Sequence, residues 1–231
     1  MPQPSHPSRS RAFALSALLL PAALVLGGCA FTDPGERTTA PLTADAGAPE
    51  ASASADPGDG LETPEDLTFE AGAVLGTRLR AQWGDSLVAD ADYTLTTPDD
   101  GNGNWAYTQN STQCEVRFWQ GDVSSIGSGE GDRALSDAVL ATWLKVSPDE
   151  VTAAAQDDMV GYVPGTSGST QVRVVAGSTQ SGGSWVAAAR GLTSFHGGFV
   201  VHVTCPEGQS AQSLYSTLRD DKLTLVVGPG L

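Results

Sequence analysis

Apolar and polar positions alternate with a period of two through much of the last third of the chain. Gln171–Ala176, Ser184–Arg190 and Gly198–Thr204 read as three strands, joined by turns over Ser178–Gly183 and Thr193–Gly197. Tyr93–Thr97, Trp105–Tyr107 and Cys114–Gln120 read as earlier strands. The run from Pro98 to Asn104, dense in Asp, Gly and Asn, supplies turn chemistry between them. In the middle of the chain the period changes. Leu135, Ala138, Val139, Thr142, Trp143 and Val146 fall on one helical face, with Asp132 placed to cap its start. Ser147-Pro148-Asp149-Glu150 is a complete capping box with proline at the first helical position, and predicts a second helix to about Met159. A short helix over Ser210–Leu218 and a strand over Leu223–Val227 close the pattern. Leu75, Leu79 and Trp83 sit at helical spacing within Ala71–Trp83, which predicts a helix weakened by Gly72 and Gly76, each costing about 1 kcal/mol. These elements predict an α+β fold: one mainly antiparallel sheet with helices packed on it.

Residues 1–66 show no such period. Met1–Arg11 carries Arg9 and Arg11 and no acid, and Ala12–Leu26 is free of charge. Leu26-Gly27-Gly28-Cys29 follows. A positive head, a short apolar stretch and small residues before a cut form a secretory signal. The Leu-Gly-Gly-Cys run resembles the bacterial lipobox, in which diacylglycerol is attached to the cysteine thiol and the peptide is cut just before it. The resemblance implies a signal peptide over residues 1–28 and lipidation of Cys29. An uncut anchor and a plain secretory peptide are the alternatives, since Ala12–Thr32 is just long enough to span a bilayer. Two acyl chains on one residue make a stable anchor where one does not. Residues 29–66 read as the lipidated cysteine and a disordered acidic tether, with too little apolar surface to offset ordering entropy. Residues 67–231 are left as one globular domain, long enough for a sound core.

The net charge of −15 disfavours a phosphate backbone or an anionic headgroup as partner. Nucleic acid is therefore excluded as an expectation, and contact with the membrane falls to the lipid on Cys29. The expected location is the extracytoplasmic face of the cell membrane.

Three cysteines leave two for the domain once Cys29 is lipidated. Cys114 and Cys205 would each stand at a strand end on an apolar face, beside Val116 and Phe118 on one strand and Phe199, Val201 and Val203 on the other. An exported domain permits a disulfide between them. Two buried free thiols are the alternative. No Cys-x-x-Cys is present, which argues against redox catalysis.

The order of elements resembles the PsbP-like α/β/α fold, which recurs in actinobacterial envelope lipoproteins. The residues that carry the resemblance are Tyr93-x-Leu95 ahead of Pro98 and Trp105, the central helices, and the final strand-strand-helix-strand. It implies a non-catalytic accessory or binding protein, although fold alone does not assign function.

Motifs with chemistry of their own are few. Asp100-Gly101-Asn102-Gly103-Asn104 echoes the start of a calcium loop, but Trp105 stands where glycine is needed and Ser111 where glutamate is needed. His196 falls in a turn and His202 on a strand out of phase with Val201 and Val203, with no zinc spacing around either. Gly-x-Ser-x-Gly and Ser-x-x-Lys are absent. No cofactor is expected. Trp119 is out of phase with Val116 and Phe118, so it faces the other side of the sheet. There it either floors a ligand groove or joins a second core layer beneath a helix. The expected function is a membrane-anchored, non-enzymatic binding or accessory domain whose partner is an envelope protein or an apolar ligand. The alternative is an envelope hydrolase with dispersed residues, which requires His202 or His196 near a serine and an acid.

Overall fold

The computed structural model describes residues 61–127, 130–163 and 168–230. The signal segment, Cys29 and the tether up to residue 60 lie outside the described residues. The Asp66 carboxylate accepts from the backbone N–H and hydroxyl of Ser169, and Leu67, fully buried, bridges to Thr170. Among the described residues no helix is long and apolar enough to cross a membrane.

The described elements follow in the order α1 (Phe69–Gly72), β1 (Leu79–Trp83), β2 (Tyr93–Thr97), β3 (Asn104–Gln109), β4 (Glu115–Asp122), α2 (Gly131–Leu144), α3 (Pro148–Ala154), β5 (Gln156–Val163), β6 (Gly168–Ser178), β7 (Ser184–Leu192), β8 (Gly197–Cys205), α4 (Ala211–Asp221) and β9 (Thr224–Pro229). All the strands join one sheet in the order β1-β9-β5-β6-β7-β8-β4-β3-β2. Its pairings are antiparallel except β5 with β9. The fold is therefore the mixed α and β, mostly antiparallel architecture expected of the alternation.

Two element assignments made from the sequence are corrected. The segment Ala71–Trp83 is not one helix. It is the single turn α1 followed by the strand β1, in which Leu79 and Trp83 are buried and the residues between them are not. A spacing of four satisfies a strand as well as a helix, because four is a multiple of two. Pairing with β9 decides between them. The helix that opens at the capping box ends at Ala154, not near Met159. Gln156–Val163 becomes β5, paired with β6 on one side and β9 on the other, with Val160 and Tyr162 inward. Backbone pairing on both flanks outweighs the helix propensity of the preceding alanines.

The sheet curls. β1 lies at one end of the strand order, yet Trp83 reaches β4 and β8 near the other end. Its backbone N–H donates to Gln120 Oε1 at 2.9 Å, and its indole N–H reaches the carbonyls of Val200 (3.1 Å) and Trp119 (3.2 Å). Inside the curl Trp83 meets Phe118 and Phe199 edge-on, and Trp105 stacks on Phe118 at 5.2 Å. α4 closes this core with Leu214, Tyr215 and Leu218. Cys114 and Cys205 lie in the same core, and a disulfide joins them across a separation of 91 residues. Closing a loop of that length is worth on the order of 4 kcal/mol in the chain-entropy model.

α2 and α3 cover the opposite face and form a second apolar cluster with Ala187, Ala189 and Val200. The approach of α2 is close because β7 offers small residues beneath it. A Cβ on Gly191 would fall 2.6 Å from Leu135 Cγ. Asp132 does not cap α2. It turns inward, where its carboxylate takes Arg190 Nη2 at 2.9 Å and the backbone N–H and hydroxyl of Thr193. Both side chains of that ion pair are 0% exposed.

Candidate ligand cleft

Side chains alternate across the sheet, and one set of them faces α2 and α3. The register places Arg117, His202, Ala187 and Val175 in one row across β4, β8, β7 and β6. The adjoining rows carry Trp119 beside Val200 and Trp185 beside Thr204 and Gly177. α2 lies close over the sheet at Leu135, and Val139, Thr142, Trp143 and Leu144 of its C-terminal half line open space. The gap between the C-terminal half of α2, α3 and these rows is a cleft of about 1220 Å³. Trp119, Trp143, Trp185 and His202 line it, with Glu115, Arg117 and Glu150 among its charged groups.

Trp119 is thus found on the face opposite Phe118, as its phase requires. A helical layer covers that face, Trp119 packs against the second apolar cluster, and a cleft is left beside it. The indole is laid along the sheet. A Cβ on Gly121 would lie 2.8 Å from its Cζ2, and one on Gly198 would lie 3.0 Å from its Cζ3. Trp185 is laid down in the same way over Gly177, whose Cβ would meet Cζ2 at 2.5 Å. Glycine leaves room for each ring to lie down. Both rings are half-buried, with their upper sides lining the cleft.

His202 is held between two indoles. Trp143 meets it edge-on at 6.1 Å and Trp185 at 5.8 Å. Trp143 Nε1–H donates to His202 Nδ1 at 3.2 Å. An indole N–H can only donate, so Nδ1 carries the lone pair and the neutral ring holds its proton on Nε2. Among the described residues no acceptor reaches that nitrogen. Burial holds the imidazole below its ordinary pKa of 6.5, with Glu115 pulling upward and Arg117 downward. Arg117 is itself paired to Glu115 at 3.1 Å.

His196 is elsewhere, exposed in the β7–β8 turn at φ 55°. It adds to the lowering of the Asp122 pKa, which comes first from the hydroxyl and backbone N–H of Ser124. The Ser124 hydroxyl thus donates to the acid, and among the described residues no hydrogen bond joins either imidazole to a serine or a carboxylate. The expected calcium-like turn closes on itself, as Asp99 and Asp100 accept from the backbone N–H groups of Gly101, Asn102 and Gly103. Among the described residues no cluster of His, Cys, Asp and Glu could hold a metal.

Sequence reasoning did not pick out the glycines beneath Trp119 and Trp185. The signal for Gly121 was present, since a Trp followed two residues later by Gly on one strand face leaves room for the ring. Gly198 and Gly177 lie on neighbouring strands and become visible only with the register.

No family model matches this chain, and no curated protein or solved structure matches it either.

Proposed function

We propose that the protein is a lipid-anchored binding module of the bacterial envelope, held by Cys29 on the extracytoplasmic face of the membrane, with its ligand seated in the cleft above Trp119. The lipobox-like Leu26-Gly27-Gly28-Cys29 and the acidic stretch after it support the anchor and the standoff. The cleft carries the binding reading. A concavity of this size, walled by three half-buried indoles and a histidine, is the form of a small-molecule seat. The likeness to PsbP-like accessory proteins points the same way. The hydrolase alternative finds less support, because the nitrogen of His202 that faces Trp143 is already occupied.

Native mass spectrometry of the protein extracted from its own membrane tests this reading. The expected result is a non-covalent adduct that leaves on denaturation, on a chain heavier than residues 29–231 by its lipid. A bare domain with no adduct under gentle extraction counts against the ligand seat. A chain that retains residues 1–28 counts against the anchor.

A further inference from the structure

The floor of the cleft restricts the chemistry of its occupant. We propose that the cleft binds an uncharged carbohydrate chain, with sugar rings laid on Trp119 and Trp185 and hydroxyl groups bonded to the polar groups between them. The proposal rests on the reading of the cleft as a ligand seat.

Three observations lead there. The first is the posture of the indoles. Rings that stand upright fill a core, but these two lie over Gly121, Gly198 and Gly177 and present their upper sides to the cleft. A broad, flat apolar surface matches the C–H face of a sugar ring. The second is spacing. Trp119 pairs with Val200 and Trp185 with Thr204, so the two platforms stand four residues apart along β8 and on opposite sides of it. At ordinary strand dimensions their backbones are about 16 Å apart. A single ring cannot reach both, whereas a chain of several rings can.

The third is the polar set around the platforms. Glu115, Arg117, His202 and Thr204 lie between or beside them. Among the described residues neither the Trp119 nor the Trp185 indole N–H has a protein acceptor. An alkyl chain would strip these groups of water and return no hydrogen bonds. Hydroxyl groups both donate and accept, so they suit a mixed set. Charge weighs against an anionic ligand: the protein carries −15, the lining sets Glu115, Asp122 and Glu150 against Arg117 and Lys145, and Arg117 is already bound to Glu115.

The test uses the full lipidated chain in a detergent without sugar headgroups, titrated with cellotetraose and with chitotetraose. Tryptophan fluorescence and calorimetry are read together. The expected result is saturable binding of at least one of them, weakened tenfold or more by Trp119→Ala and by Trp185→Ala. Trp119→Tyr keeps a smaller ring over the same glycines, retains part of the affinity, and serves if the alanine variants fail to fold. Saturation that is unchanged in every one of these variants overturns the proposal. So does the absence of sugar binding in a preparation whose mass spectrum shows an apolar adduct, but that result leaves the cleft as a ligand seat. If the protein binds no sugar and also carries no adduct, both the carbohydrate proposal and the ligand seat are removed.

Discussion

The two halves of α2 meet the same sheet on different terms. At the N-terminal half the gap is closed by charge and by small residues. Asp132 is buried against Arg190, whose guanidinium also donates to the carbonyls of Thr68 and Gln171. One turn on, Asp137 takes Arg173 Nε at 2.6 Å and the Thr152 hydroxyl at 2.9 Å. Arg173 also reaches Asp157, which Arg133 grips from the helix side. The Phe69 ring has the guanidinium groups of Arg190 and Arg133 at 4.6 and 4.7 Å. At the C-terminal half there are indoles, one histidine hydrogen bond and open space. Buried ion pairs add little net stability, because desolvation offsets their attraction, but pulling one apart strands a buried charge at large cost. The helix is thus fixed at one end, and a cleft can persist beneath the other.

The largest expected effect lies at the fixed end. Asp132→Ala removes the carboxylate that offsets the burial of Arg190 and strands a fully buried guanidinium without its paired acid. The cost is about 3–5 kcal/mol, read from denaturant unfolding. The double replacement Asp132→Leu with Arg190→Met returns most of that loss, because no charge is then stranded. A double variant no more stable than Asp132→Ala would mean that the pair itself stabilises the fold.

At the open end the effects are smaller. Gly177→Ala forces the Trp185 ring to lift, because the new methyl would sit 2.5 Å from it. The expected cost is about 1–3 kcal/mol, with a red shift in emission as the ring meets water. Trp143→Phe keeps the ring contact and removes the donor to His202 Nδ1, at about 1 kcal/mol. If it costs as much as Asp132→Ala, the contrast between the two halves fails.

The smallest effect is one of pH. Burial holds His202 below its ordinary 6.5. As pH falls below about 6.5 the unfolded chain gains a proton that the folded chain refuses, so stability declines until the folded pKa is reached and then levels. Protonation at Nδ1 also sets a donor against the Trp143 N–H. Denaturant midpoints measured between pH 7.5 and 5 should fall in the wild type and fall less in His202→Gln. Equal slopes in the two proteins would show that His202 is not the titrating group.

Much of the fold was legible in local pattern. The three-strand meander and the capping box stand where alternation and end signals put them, because each depends on a few neighbouring residues, and the disulfide joins the two cysteines that the count left to the domain. The capping box has both its reciprocal bonds, from the Ser147 hydroxyl and from Glu150. The phases of Trp119 and His202 were legible too, since a period of two leaves one choice of face. The inward turn of Asp132 was not, because an acid in the first turn of a helix suits a cap as well as an ion pair. Arg190 is 58 residues away in sequence.

The sequence by itself determined the order and type of most elements, the face each strand residue takes, and the lipobox-like segment on which the anchor proposal rests. Tertiary structure alone decided that Leu79–Trp83 is a strand, that Gln156–Val163 leaves the helix, and that the sheet curls so that Trp83 meets Phe199. It also decided that Trp119 packs at the margin of the second cluster and lines a cleft. Local periodicity fixes which side a residue faces. What waits on that side depends on partners distant in the chain, whose approach is set by packing and by the cost of burying charge.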